Sequence, residues 1–195
     1  RATTTLRRML NEPGIIVAPG AYDGISARLI ERHGFKAVYM TGAGTAASAL
    51  GQADLGLTTL TEMATHAAHI AGCISLPLIA DADTGYGNPL NVIRTVREYE
   101  RAGVAALHLE DQVFPKKCGH IAGKAVIPMK EFAEKIRAAA ENRTDPDFII
   151  IARTDARAVN GIDDAIERGL RYREAGADVI FVEAPTSREE IERVA

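Results

Sequence analysis

The chain has 195 residues, of which 47% are hydrophobic and 25% are charged, and its formal net charge is −3. This composition predicts one globular domain, residues 1–195, with a single sizeable core. The balanced charges and the lack of an apolar run of ~20 residues exclude a nucleic-acid binder and a membrane-spanning protein. Two cysteines cannot form a disulfide framework, so we expect free thiols and a cytoplasmic location.

Six short apolar runs rich in Val, Ile and Ala recur along the chain. Each run is followed by a polar or glycine-rich loop and then by helical periodicity, which is the rhythm of a βα protein. The predicted strands lie near residues 15–18, 37–41, 78–81, 106–110, 148–153 and 179–183, and helices are predicted at 89–102 and 129–141. Glycines in "ERHGF", "ERAGV" and "REAGA" are expected to end three helices in the left-handed conformation.

The predicted strands are continuously apolar, which indicates a parallel sheet covered by helices. Both a doubly wound sheet and a (β/α)8 barrel have this pattern, but only a barrel brings the ends of all its strands to one ligand. Nearly every strand here ends in polar residues or glycine, so we predict an α/β TIM-type (β/α)8 barrel. Six units are too few to close it. The chain is therefore expected to contain the first six βα units and to be truncated at its C-terminus.

The segment "GAGTAAS" from Gly42 resembles the glycine fingerprint of dinucleotide-binding folds, with Glu62 near the distance of the ribose-binding acid. The match is weak, because a loop follows and Glu62 falls inside a predicted helix.

Three carboxylates are expected to converge at adjacent strand ends: Asp81 and Asp83 in "DADTGYG", and Glu110 in "HLED". Without a counter-ion they would repel one another, and a hard divalent cation such as Mg²⁺ prefers oxygen ligands. The alternative is that the two aspartates cap a helix or bind loop amides. Arg153 and Glu183 at other strand ends favour a functional site.

The stretch "FPKKCGH" lies six to ten residues beyond a strand, and we expect it to form a mobile lid. Lys116, Lys117 and His120 flank Cys118 in sequence, and nearby positive groups favour the reactive thiolate. A small buried hydrophobic role is the alternative, and it is the interpretation we prefer for Cys73.

In these motifs the sequence resembles the isocitrate lyase and phosphoenolpyruvate mutase superfamily. The resemblance extends over essentially the whole chain, through "YMTGAGTAASALGQADLG", "DADTGYG", "HLEDQVFPKKCGH", "GKAVIP", "ARTDA" and "EAGADVIFVEAP". The "KKCGH" loop is typical of the carbon–carbon lyase branch, which includes 2-methylisocitrate lyase and 2,3-dimethylmalate lyase. The resemblance implies a barrel that binds Mg²⁺, or Mn²⁺ in its place, and that cleaves a 2-hydroxy di- or tricarboxylate to a 2-oxo acid such as pyruvate and a second carboxylate.

The resemblance also implies residue roles. Tyr39 would remove the hydroxyl proton, Cys118 would protonate the resulting carbanion, and Arg153 would pair with a substrate carboxylate. The implied catalytic residues are Tyr39, Lys117, Cys118, His120 and Arg153; the substrate-binding residues are Thr41, Gly42, Ala43, Asp54, Gly119, His120, Arg153 and Glu183; and the metal ligands are Asp81, Asp83 and Glu110.

One departure bears on the substrate. Ile121 stands where 2-methylisocitrate lyases usually have a polar or basic residue, so a substituted malate fits at least as well as a tricarboxylate. An oxaloacetate hydrolase, a phosphoenolpyruvate or carboxyphosphonoenolpyruvate mutase-type phosphonate enzyme, and a non-catalytic carboxylate-binding barrel stay open as alternatives. The expected assembly is a homo-oligomer, a tetramer, with no nucleic-acid or membrane partner.

Overall fold

The computed structural model describes all residues from Arg1 to Ala195. Six strands form one sheet in chain order, and every neighbouring pair is parallel. The strands are β1 (Gly20–Ala21), β2 (Val38–Met40), β3 (Leu78–Asp81), β4 (Ala106–Glu110), β5 (Ile149–Thr154) and β6 (Val179–Val182). Sequential parallel strands joined by helices are the arrangement of a TIM-type (β/α)8 barrel, of which this chain supplies six βα units.

Nine helices accompany the strands. They are α1 (Ala2–Leu10), α2 (Gly24–Arg32), α3 (Gly42–Leu50), α4 (Leu60–Cys73), α5 (Pro89–Arg101), α6 (Met129–Asn142), α7 (Ala156–Asn160), α8 (Ile162–Glu174) and α9 (Arg188–Val194). The predictions for α5 and α6 are confirmed to within one residue. The three predicted helix-ending glycines, Gly34, Gly103 and Gly176, have φ of 81°, 81° and 112°, which is the left-handed region. None of the helices is long and apolar enough to cross a membrane.

The first predicted strand is wrong. Residues 15–18 are not in the sheet, and β1 begins only at Gly20. The side chain of Ile15 is 92% exposed. The reason is that the neighbouring strand β2 is short. Its pairing with β1 starts where the Tyr39 amide donates to the Pro19 carbonyl, and the residues before Val38 form no strand that residues 15–18 could pair with. An apolar run becomes a strand only where a neighbouring backbone is available for its hydrogen bonds.

The main core lies between the sheet and the surrounding helices. Its largest fully buried side chains include Tyr99, Phe132 and Tyr172, and the rings of Phe132 and Tyr172 pack edge-to-face with centroids 4.7 Å apart. A smaller cluster at the amino ends of the strands contains Leu6, which packs against the start of β4 and β5. Helix α1 therefore covers the amino end, and the polar carboxyl ends gather on the opposite face.

Candidate active site

A group of buried charged side chains, called here the carboxyl-end cluster, lies where the strands end and where the segment after β4 folds over them. None of its side chains is more than 9% exposed. It contains the carboxylates Asp54, Asp81, Asp83, Glu110, Asp155 and Glu183 and the cations Lys116, Lys124 and Arg153. Carboxylates outnumber cations by two to one in a place with little water. Such an excess is costly without a further positive charge.

Asp81 and Asp83 lie close together, but not on an extended strand end as expected. Asp83 has φ of +47°, so the chain turns there. The side chain of Asp81 holds the turn: its Oδ1 accepts a hydrogen bond from the Asp83 amide at 2.9 Å, and its Oδ2 accepts one from the Gly42 amide at 3.1 Å. Asp81 therefore binds loop amides, as the alternative interpretation had it, while it also contributes charge to the cluster.

The three expected metal ligands differ in their affinity for protons. Burial and the neighbouring charge of Asp81 raise the pKa of Asp83 to about 7. Burial likewise raises the pKa of Glu110 well above its ordinary value. Burial also acts against the charge of Asp81, but His108, Lys116 and Arg153 outweigh it and lower the pKa of that carboxyl.

Glu110 provides the test of whether a divalent cation fits here. Both of its carboxylate oxygens are buried and accept no hydrogen bond, and Arg153 Nε lies 3.3 Å from Oε2 without the alignment of one. Asp83 Oδ1 also lacks an aligned hydrogen bond, although Lys116 Nζ is 2.5 Å away. No three His, Cys, Asp or Glu side chains are arranged to hold a metal ion by themselves. The orphaned oxygens of Glu110 and Asp83 would fit a Mg²⁺ ion only if it draws its further oxygens from water or from a ligand.

Lys116 lies inside the cluster, and this position was not foreseen. Its ammonium is 2.6 Å from Asp54 Oδ1 and 2.5 Å from Asp83 Oδ1. Although burial opposes the charge, the surrounding carboxylates, Asp81 and Asp83 first among them, raise the pKa of Lys116. The expectation that Lys116 assists the thiol of Cys118 is thus corrected: its charge is held by two aspartates.

Tyr39 and His108 form a pair beside Asp81. The Tyr39 hydroxyl is 2.7 Å from His108 Nε2, and the two rings stack with centroids 5.6 Å apart. Burial lowers the pKa of His108 to about 4, so the imidazole is neutral near pH 7. Burial and the Asp81 carboxylate raise the pKa of Tyr39, which keeps the phenol protonated in the free site. In the free site the Tyr39 hydroxyl is paired with His108 Nε2, and the role of Tyr39 as the base, which the resemblance implies, stays a prediction.

Arg153 lies at the centre of the cluster. Its Nε donates to Asp155 Oδ2 at 3.0 Å and its Nη2 to Asp155 Oδ1 at 3.2 Å, while Glu183 Oε2 is 3.4 Å from Nη2. Burial opposes its charge, but Glu110 and Asp155 raise the pKa of Arg153. The guanidinium also lies over the Phe181 ring, 5.4 Å from its centroid. Arg153 is held charged and oriented, as a carboxylate-binding arginine must be.

The lid, defined as residues 113–126, folds back over the strand ends. The Val113 amide donates to the Ala125 carbonyl, which ties the two lid ends together. The Gln112 side chain donates to the Lys117 carbonyl at 2.8 Å and accepts from the Lys117 amide at 3.0 Å. The Cys118 amide donates to the Asp54 carbonyl at 3.0 Å, and the residue is half-buried. The backbone of Cys118 is thereby held beside Asp54, which belongs to the cluster.

Lys117 and His120 are two further lid residues to which the resemblance gives a role. The Lys117 ammonium donates to the Gly123 carbonyl at 2.8 Å, so its charge serves to hold the lid in shape. The catalytic role of Lys117 that the resemblance implies stays a prediction. His120 is exposed at the surface of the lid. Gly119, in contrast, lies directly against Arg153 and Glu183.

The segment Thr41, Gly42 and Ala43 begins helix α3 directly after β2. The Thr41 hydroxyl accepts from the Gly44 amide at 3.1 Å, and the Gly42 amide is taken by Asp81. The Thr41 amide donates to the Ala21 carbonyl, so of the three amides only that of Ala43 has no hydrogen-bond partner, and the carboxylate-binding role of the segment stays a prediction. The nucleotide interpretation is excluded, since Glu62 is occupied by the Thr59 amide and hydroxyl in a capping box.

The sequence analysis did not identify three residues of this site, His108, Lys124 and Asp155, and it gave Lys116 a different role. A signal was present for Asp155, which stands two residues after Arg153 in "ARTDA". Asp111 follows β4 directly. It accepts hydrogen bonds from the Thr154 hydroxyl at 2.7 Å and from the Asp155 amide at 2.9 Å, which locks the ends of β4 and β5 together.

Comparisons with known proteins agree with this geometry. A family model described as phosphoenolpyruvate phosphomutase matches residues 6–195. A 2,3-dimethylmalate lyase of Eubacterium barkeri is 56% identical over 189 residues, which are 97% of this chain and 65% of that enzyme. A 2-methylisocitrate lyase of Aeropyrum pernix is 50% identical over 195 residues, which are 100% of this chain and 62% of that enzyme. The chain thus spans less than two thirds of the length of these relatives.

Solved structures show the same similarity in three dimensions. The crystal structure of a 2,3-dimethylmalate lyase, a member of the PEP mutase/isocitrate lyase superfamily, matches with a TM-score of 0.95 and 51% identity, covering 99% of this chain and 65% of that one. A phosphonopyruvate hydrolase in complex with oxalate and Mg²⁺ matches with a TM-score of 0.89 and 35% identity, covering 99% and 67%. In that relative, Mg²⁺ and a small dicarboxylate are bound together.

Proposed function

Because the chain belongs to the phosphoenolpyruvate phosphomutase family, we propose that it is a Mg²⁺-dependent carbon–carbon lyase of the PEP mutase/isocitrate lyase superfamily. Its substrate would be a 2-hydroxy dicarboxylate such as 2,3-dimethylmalate, or a tricarboxylate such as 2-methylisocitrate. The products would be a 2-oxo acid such as pyruvate and a second carboxylate. One observation carries the proposal: a lid holds Cys118 at the mouth of a buried, cation-deficient carboxylate cluster that contains Arg153.

Binding of the substrate is assigned to the strand ends and the lid. Arg153 would pair with a substrate carboxylate, because its guanidinium is charged and fixed by Asp155. Mg²⁺ held by Asp83 and Glu110, with Asp81 acting directly or through water, would polarise the hydroxyl oxygen and balance the excess negative charge. The Ala43 amide at the N-terminus of α3 offers one more donor to an anion.

The chemical step is the heterolytic cleavage of a carbon–carbon bond. The substrate hydroxyl would pass its proton to the Tyr39 oxygen while Tyr39 passes its own proton to the neutral His108 Nε2, 2.7 Å away. The hydroxyl-bearing carbon would become the carbonyl carbon of the 2-oxo acid, and the bonding electrons would move to the carbon next to the second carboxylate. Cys118 would donate the thiol proton to that carbanion, and the lid would keep water from protonating it first. The Tyr39–His108 pair would share a hydrogen bond with the reacting hydroxyl, since the phenol is protonated in the free site.

The test is product identification. The whole protein, supplied with Mg²⁺, is incubated separately with 2,3-dimethylmalate, 2-methylisocitrate, oxaloacetate and phosphonopyruvate, and the products are identified by mass spectrometry. We expect a 2-oxo acid to be released from at least one of the first two compounds. Turnover restricted to oxaloacetate would make the protein a hydrolase, and turnover restricted to phosphonopyruvate would make it a phosphonate enzyme. Either result would replace the lyase proposal.

We further propose that the whole protein is a cytoplasmic homotetramer. Large apolar side chains are exposed on several helices, among them Ile25 at 73%, Leu90 at 75% and Leu170 at 59%, which suits contacts between copies. Both cysteines are unpaired, which suits a reducing compartment. The mass of the particle in solution, measured by light scattering, tests the assembly.

A further inference from the structure

We propose that Lys124 is a positioning residue that fastens the lid onto the barrel by linking Gly119 to Asp155, the aspartate that orients Arg153. The inference rests on the proposed function only where it says that Arg153 and Cys118 contact a substrate. The contacts of Lys124 with Gly119 and Asp155 are part of the fold and do not depend on that function.

Lys124 joins the two parts through one buried ammonium. Its side chain is only 3% exposed, and that of Asp155 is 0% exposed. The ammonium donates to Asp155 Oδ1 at 2.7 Å and to the Gly119 carbonyl at 2.5 Å. Charge-assisted hydrogen bonds of this kind, shielded from water, are stronger than neutral ones. The lid backbone is therefore tied to a barrel carboxylate at the residue next to Cys118.

Asp155 transmits this contact to Arg153. Its Oδ1 accepts hydrogen bonds from both Lys124 and Arg153 Nη2, and its Oδ2 accepts one from Arg153 Nε. Its own amide is fixed by Asp111 Oδ1 at 2.9 Å. The carboxylate cannot follow Lys124 if the lid opens. When the lid opens, Arg153 would be the only cation that still donates to the Asp155 carboxylate. When the lid closes, the Lys124 ammonium would return to Oδ1, which also accepts from Arg153.

Gly119 shows how tightly the lid is seated. A Cβ at this position would overlap Glu183 Oε1 and Arg153 Nη2. Gly119 does not have a positive φ, so its own backbone would accept an alanine. The absence of a side chain is thus needed for the close approach of the lid to the Arg153–Glu183 pair, and the Lys124 bond to the Gly119 carbonyl holds the backbone there.

The experiment measures lid opening without depending on turnover. The whole protein is treated with iodoacetamide, and the alkylation rates of Cys118 and Cys73 are compared in the same sample by peptide mass spectrometry. Cys73 ends helix α4, outside the lid, and reports any general loosening. In Lys124→Met, which keeps the length of the side chain and removes the charge, we expect Cys118 to react about 10- to 100-fold faster and Cys73 to react as before. Lys130→Met, at an exposed position, is the matched control.

Gly119→Ala is a second way to favour the open lid. The added methyl group would keep the lid from packing against Arg153 and Glu183, while Lys124 stays in place. It should accelerate Cys118 alkylation to a similar extent, and the double variant should react no faster than the quicker single variant. If a lyase substrate is found, KM should rise in Lys124→Met because the lid is held less firmly over the bound substrate, and Lys124→Arg should recover part of that loss.

Equal Cys118 rates in wild type, Lys124→Met and Gly119→Ala would overturn the inference, as would parallel acceleration of Cys73. If Lys124→Met does not fold, the Gly119→Ala comparison decides in the same way. Accelerated alkylation in a protein that turns over none of the four compounds would leave the inference standing and remove the proposed function.

Discussion

The two ends of the barrel use the same kinds of charged residues in opposite ways. At the amino end, Arg1, Arg7 and Arg143 pair with Asp145, Asp147 and Asp178, and these side chains are between 15% and 74% exposed. At the carboxyl end, nine charged side chains are at most 9% exposed, and buried carboxylate oxygens lack hydrogen bonds. Charges in water with a partner cost little, whereas an unbalanced buried group costs stability. The difference indicates that the amino end serves the fold and the carboxyl end serves a ligand.

Among the tests of this difference between the two ends, removal of the metal should have the largest effect, which is measured as loss of turnover. Exhaustive chelation is expected to reduce turnover to below detection, since the carboxyl-end cluster then keeps its excess charge and loses the cation that polarises the substrate. Addition of Mg²⁺ should restore turnover, and chelator already saturated with Mg²⁺ is the control. Full turnover by the chelated protein would show that the orphaned oxygens of Glu110 do not serve a metal ion.

Substitution of the lid thiol should have the next largest effect. Cys118→Ser preserves size but replaces the thiol with a much weaker acid, so kcat should fall by about 10²- to 10⁴-fold with little change in KM. The control is Cys73→Ser, whose sulfur lies 3.2 Å from the Ile70 carbonyl in α4, and it should retain activity. Near-normal turnover of Cys118→Ser on every lyase substrate would make the thiol structural.

The same substitution made at both ends should change stability in opposite directions. In the metal-free protein, Glu110→Gln removes a buried carboxyl group whose charged form burial disfavours, and it is expected to raise the free energy of unfolding by about 1 kcal/mol. Glu100→Gln should lower it by about 0.5–2 kcal/mol, because Glu100 accepts from the Thr144 amide and hydroxyl and from the Asp145 amide. Urea unfolding measures both. A loss of stability in Glu110→Gln would mean that Glu110 supports the free fold.

A buried lysine near the carboxyl end gives a pH-dependent test. Lys135 donates only to the Thr84 carbonyl, and burial lowers its pKa below the usual value. Folding therefore favours the neutral form of Lys135 relative to the unfolded chain, so between the lowered pKa and about 10.5 the unfolded chain binds more protons and stability rises with pH. The difference in the free energy of unfolding between wild type and Lys135→Met should become smaller from pH 7 to pH 10. If this difference in the free energy of unfolding does not change with pH, the pKa of Lys135 is not lowered in the folded state.

The smallest effect is expected at the amino end. The Arg1 side chain is 74% exposed and lies 3.2 Å from Asp145. Arg1→Ala should change the free energy of unfolding by at most about 1 kcal/mol, and less at high salt. Thermal unfolding at two salt concentrations measures this. A loss several times larger would show that the amino end depends on its ion pairs more than their exposure indicates.

The sequence was sufficient for features that depend on neighbouring residues. Apolar runs, helical periodicity and glycine after a last helical turn predicted β2 to β6, α5, α6 and the three glycine caps, because backbone conformation and one-sided burial follow from local spacing. It also placed Asp81, Glu110 and Arg153 at strand ends, since a parallel βα fold brings all such ends to one face. The short first strand was missed because its pairing depends on a distant backbone.

Only the tertiary structure decided how the charged groups are paired. Lys116 and Lys117 are adjacent and identical in sequence, yet the first ion-pairs with Asp54 and Asp83 and the second donates to Gly123 inside the lid. Lys124 reaches Asp155 across 31 positions of the chain. The reason is that the free energy of a charge depends on burial and on the groups around it, which come from different strands and loops. Those surroundings exist only once the sheet has brought the segments together.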